Sequence, residues 1–140
     1  MSTTLTNGVT TYYEEVGSGP PVVFIHGHSL DRRLWQEQVA FLAPEFRVVT
    51  YDVRGHGLSG APPSGYGAAT YAEDLRQLLD HLDIAAAPLV GLSLGGVIAT
   101  ELALAHPERA LSLVLVSSSL QGFAFSDAFA RPLEGMVDVA

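Results

Sequence analysis

The chain has 140 residues, 48% of them hydrophobic and 16% charged, with a formal net charge of -8. That length suffices for one domain with a sizeable core, and the charged fraction lies below the ~25% usual in soluble proteins, so much of each segment is expected to be buried. The acidity argues against a nucleic-acid or anionic-membrane surface, which needs clustered Lys and Arg; the absence of cysteine excludes disulfides and thiolate metal sites. Residues 1–8 are polar and lack the basic-then-apolar layout of a secretory signal. No apolar run approaches the ~20 residues that span a bilayer, so a cytoplasmic location is expected.

In chain order, Val9–Val16 is rich in Thr and Tyr and ends in Gly17-Ser18-Gly19-Pro20-Pro21, which predicts a strand and a turn. Val22–Ile25 is a short apolar run suited to a strand covered on both faces, followed by the loop His26-Gly27-His28-Ser29. Leu34, Trp35, Val39, Phe41 and Leu42 recur at helical spacing until Pro44 stops the helix. Arg47–Tyr51 predicts another strand, and a Gly- and Pro-rich stretch runs from Asp52 to Gly67. Tyr71, Leu75, Leu78, Leu79 and Leu82 then form one apolar helical stripe, with Thr70 and Glu73 spaced as a capping box. Leu89–Leu92 is a brief strand, a helix is expected from about Gly96 to His106, and Ala110–Val116 is a further apolar strand. Strands alternating with helices imply an α/β fold: a doubly wound, mainly parallel sheet with helices on both faces.

Gly91-Leu92-Ser93-Leu94-Gly95 fits a nucleophile elbow, because an apolar strand enters it and an Ala/Leu-rich helix leaves it. Gly91 and Gly95 would spare the tight turn from side-chain collisions, and the helix N-terminus would favour developing negative charge. Ser93 is therefore the candidate nucleophile. The competing reading is a Gly-rich turn whose serine merely caps the helix. Acyl transfer also needs N–H donors for the oxyanion; the expected pair is the backbone N–H of Leu94 and that of His28 in the His26-Gly27 loop.

Three motifs, His26-Gly27, Asp52-Val53-Arg54-Gly55-His56-Gly57-Leu58-Ser59 and Gly91-Leu92-Ser93-Leu94-Gly95-Gly96, stand in an order and spacing that resemble the α/β-hydrolase superfamily. More narrowly, the chain is similar to the branch holding 3-oxoadipate enol-lactonases and cofactor-free haloperoxidase-type esterases. The resemblance covers about residues 10 to 125 and implies a serine mechanism on small esters or lactones, with no metal or organic cofactor. It also implies that residues 1–120 form the N-terminal part of the core, ending after about the sixth strand, and that 121–140 begin a cap. The family's dehalogenases and epoxide hydrolases carry aspartate at the nucleophile position, which Ser93 argues against.

Triad partners in this superfamily follow the serine, acid then histidine. After Ser93 the chain has one histidine, His106, ending a helix far from the elbow. Neither Asp52, in a structural loop, nor Asp127, Glu134 or Asp138 is assigned as the acid. His26, His56 and His81 read as loop or surface residues, and only His28 is expected near Ser93. The acid and histidine are thus expected from a C-terminal segment or partner, and Phe123, Phe125, Phe129, Leu133 and Met136 line a cap, pack ordinarily or form an apolar surface that awaits a partner. A bare apolar edge at Ala110–Val116 would invite self-association. The alternative function is a catalytically silent fragment serving as an assembly or binding unit.

Overall fold

The computed structural model describes residues 2–118. The boundary between core and cap, and the acids and aromatics beyond residue 120, lie outside the described residues. Six strands form one sheet: β1 (Ser2–Thr6), β2 (Val9–Val16), β3 (Pro21–Ile25), β4 (Arg47–Tyr51), β5 (Ala87–Leu92) and β6 (Ala110–Val116). Their spatial order is β1-β2-β4-β3-β5-β6, with β1, β2 and β4 joined antiparallel and β4, β3, β5 and β6 parallel. The α/β class and the mainly parallel sheet are as the alternation of elements implied.

β1 escaped the sequence reading. It pairs with β2 through a hairpin in which Thr6 opposes Val9, and both connecting residues, Asn7 and Gly8, take positive φ (47° and 79°). Asn-Gly is the dipeptide that such a two-residue turn favours. The signal was present; the polar character of the first eight residues masked it.

The period-2 geometry of the strands divides the core between two faces. Val23, Ile25, Val49, Tyr51 and Leu89 point into one buried cluster with Leu75, Leu78 and Leu79 of helix α2 (Ala68–His81) and Ile98, Ala99 and Leu102 of helix α3 (Leu94–Ala105). Val22, Phe24 and Val48 face the other way onto Trp35, Val39 and Leu42. Burying one such Leu or Phe contributes about 1.5–3 kcal/mol. Among the described residues no helix is long and apolar enough to cross a membrane.

Three local expectations need correction. The Leu34–Leu42 segment is a 3-10 turn (Arg32–Trp35) leading into α1 (Gln36–Leu42), and its inward stripe is Trp35, Val39 and Leu42; Phe41 stays 83% exposed. The change of helical type rotates the facing, so the spacing counted from Leu34 misassigned Phe41. Thr70 and Glu73 form no capping box, because α2 begins at Ala68 with Gly67 as its N-cap and no side-chain cap. Glu73 instead accepts from Arg76 (2.7 and 2.8 Å) and Gln77 (2.7 Å), and the Arg76 hydrogen bonds hold its carboxyl down to about 2. Likewise α3 starts at Leu94, two residues ahead of the expected Gly96.

Candidate active site

β5 runs straight into Ser93, and α3 leaves it immediately. Ser93 sits at φ 50°, ψ -111°, a sparsely populated conformation that costs a non-glycine residue about 1–3 kcal/mol. Such strain persists only where the surroundings fix it. Its side chain makes no capping hydrogen bond to α3, so the reading of Ser93 as a plain helix cap does not hold. The residue is exposed, at the C-terminal end of the parallel strands, where open α/β sheets place their ligands.

The glycines of the elbow answer to backbone close approach. A Cβ on Gly95 would collide with the carbonyl of Ile25 and come within 2.7 Å of the His26 oxygen, so α3 touches β3 itself. On Gly91 it would meet the Gly95 carbonyl and, at 2.5 Å, the Gly96 nitrogen. The carbonyl of Ser93 accepts the first intrahelical bonds, from Gly96 (3.0 Å) and Val97 (3.2 Å). The N–H of Leu94 precedes them and has no acceptor within the helix.

The His26-Gly27 loop lies against this elbow: a Cβ on Gly27 would sit 3.5 Å from that of Ser93. His28 follows in a turn closed by Leu30 N–H to the Gly27 carbonyl at 3.3 Å, with its side chain exposed. Both ends of this loop are tied to the residues after β4. At the start, the Val53 N–H donates to His26 Nε2 (2.9 Å), which obliges His26 to carry its proton on Nδ1 and donate it to the Gly27 carbonyl (2.8 Å). Burial lowers the His26 pKa, in keeping with a neutral ring. At the far end, the buried Asp52 carboxylate accepts from the N–H of Arg32 (2.9 Å), the N–H of Leu58 (2.8 Å) and the Arg32 guanidinium (3.0 Å). Arg32 also pairs with Glu14 (2.9 Å) and lies over the Tyr12 ring, 4.2 Å from its centroid.

The same loop after β4 holds a second buried pair, Arg54 with Asp74 of α2, bidentate at 2.8 and 2.7 Å. Asp52 and Arg54 lie in a loop, as expected, and their partners Arg32 and Asp74 are each 20 residues away, beyond the reach of any local pattern.

Other candidates lie apart. His106 caps the C-terminal end of α3, whose 12 residues put about 18 Å between it and Ser93, and its Nδ1 lies 3.5 Å from Glu108. His81 meets the Tyr13 hydroxyl at 3.2 Å at the C-terminal end of α2. The rings of His26, His56 and His28 form a row, with centroids 5.2 and 5.5 Å apart, so His28 packs against an imidazole rather than a carboxylate. A shallow hollow of about 460 Å³, lined by Asp80, Asp83, Ile84, Ala85 and Arg109, lies at the N-terminal ends of β5 and β6, opposite Ser93.

Comparison with known proteins places this geometry. Residues 20–140 match the model of the alpha/beta hydrolase fold family. A putative non-heme chloroperoxidase of Synechocystis sp. is 41% identical over 111 residues, which are 78% of this chain and 40% of that protein. An N-acyl homoserine lactone degrading enzyme of known structure is 33% identical with a TM-score of 0.86, covering 95% of this chain and 52% of the other. The enol-lactonase of Burkholderia xenovorans is 34% identical with a TM-score of 0.81, covering 84% and 47%. The chain thus spans about 40% of the length of the curated relative and about half of the solved ones. By its matched residues, its strand order and its elbow, the chain belongs to the α/β-hydrolase fold family.

Proposed function

We propose that this chain carries the nucleophile half of a serine hydrolase acting on small carboxylic esters or lactones. The observation that carries the reading is Ser93 itself: exposed, conformationally strained, without a capping bond, and set between β5 and α3 beside the His26-Gly27 loop. The Ser93 hydroxyl adds to the ester carbonyl while its proton passes to a histidine. The oxyanion that results is held by the N–H groups of Leu94 and His28. Collapse expels the alcohol, and water then releases the acyl group.

The base and its acid come, in this reading, from a C-terminal segment or a partner chain rather than from His106 or Asp52. Such a segment would also pair with the edge of β6 that is unpaired among the described residues. That edge equally favours a second reading, a silent hydrolase unit that assembles without turning over substrate: Leu111 is 69% and Val114 50% exposed. Hydrolysis of p-nitrophenyl acetate separates the two. With a complementary C-terminal half added, the enzyme reading expects turnover that Ser93→Ala abolishes; no turnover, or turnover that survives Ser93→Ala, would overturn it.

A further inference from the structure

The Ser93 peptide is held on both sides by the end of β6. Its N–H donates to the Val116 carbonyl at 2.9 Å, and its carbonyl accepts the Ser118 hydroxyl at 2.9 Å, shorter than either intrahelical bond to that oxygen. Ser117 between them takes φ 46°, and this left-handed step turns the chain so that Ser118 comes back over the elbow. Room for the hydroxyl exists because residue 96 is glycine: a Cβ there would collide with both Oγ and Cβ of Ser118.

The bond matters because a peptide unit is planar. The carbonyl of Ser93 and the N–H of Leu94 belong to one rigid plane and point in opposite directions. Fixing the carbonyl fixes the direction of the N–H that would face an oxyanion. We propose that Ser118 is a positioning residue which, through the Ser93 carbonyl, aims the Leu94 N–H and holds the strained nucleophile in place. The inference rests on the serine-hydrolase reading for its catalytic meaning, while the latch itself does not.

The test compares the unaltered chain with Ser118→Ala, Ser118→Thr and Gly96→Ala, reading the kinetics of fluorophosphonate attachment and the carbonyl carbon shift of Ser93 by NMR. Ser118→Ala is expected to lower the maximal inactivation rate about three- to tenfold, the scale of one hydrogen bond, with the probe's half-saturation unchanged. Gly96→Ala, which dislodges Ser118, is expected to do the same, and Ser118→Thr to restore both rate and shift. An unmoved Ser93 carbonyl in Ser118→Ala overturns the latch. A moved carbonyl with an unchanged inactivation rate overturns the positioning role. If the unaltered chain takes up no probe even with a complementary C-terminal half added, the hydrolase reading fails, and the carbonyl shift alone still decides whether the latch exists.

Discussion

The two flanks of Ser93 are built differently. On the inner flank, the loop carrying His28 is tied at both ends by groups that are fully buried, His26 and Asp52, and is closed within the described residues. On the outer flank, the elbow is latched by the end of β6, a strand exposed on both faces and paired on one edge only among the described residues. Inner contacts engage two fully buried side chains, His26 and Asp52, and include one ion pair; outer contacts are two hydrogen bonds near solvent. The geometry around Ser93 therefore draws on global stability on one side and on local order of an edge strand on the other. Damage to the inner flank should unfold the protein, whereas damage to the outer flank should leave it folded with Ser93 displaced.

The largest effect expected is that of Asp52→Ala, which strips two N–H groups of their acceptor and leaves the Arg32 guanidinium with Glu14 alone. Breaking a buried pair in this way costs about 3–5 kcal/mol, readable as a lower urea midpoint. A loss below about 1 kcal/mol would show that the inner clamp is not a stability element.

Next in size is a pH effect at His26. Burial depresses its folded-state pKa below the unfolded value of about 6.5, so the folded state binds fewer protons. The stabilisation is complete above that unfolded value and is lost as pH falls through the folded one. His56 opposes protonation, and Asp52 and Asp31 favour it. Urea denaturation from pH 7.5 down to pH 5 should show declining stability that is weaker in His26→Gln, whose amide oxygen can still accept the Val53 N–H. Equal slopes in the two proteins would contradict the assignment of a neutral, accepting His26.

The smallest stability change is expected on the outer flank. Leu111→Lys and Val114→Lys, both at exposed positions of β6, should shift stability by no more than about 0.5 kcal/mol. They should nonetheless reduce self-association in sedimentation velocity, because a charged edge resists strand pairing. Unchanged association would remove β6 as the docking edge.

How far this contrast could be read in the sequence follows from the range of each signal. The strand and helix alternation, the stripe from Leu75 to Leu82 and the elbow around Ser93 are local patterns, and each emerged with boundaries within about two residues. β1 was missed because its polar residues outweighed the Asn7-Gly8 turn. The capping box failed because α2 begins at Ala68, two residues ahead of Thr70, which leaves Glu73 to Arg76. Asp52 with Arg32, Arg54 with Asp74 and Ser118 with Ser93 join positions 20 to 25 residues apart, and no local spacing announces them.

The central claim is that Ser93 is the nucleophile of a hydrolase whose remaining triad lies outside the described residues. It is tested most directly by intact-mass measurement after fluorophosphonate treatment of the chain, alone and with the C-terminal half of the Synechocystis relative added, with Ser93→Ala alongside. The account predicts one added probe mass per chain when the complementary half is present, much slower addition without it, and none in Ser93→Ala. Addition that persists in Ser93→Ala, or no addition to the reconstituted protein under conditions that label the intact relative, would contradict it.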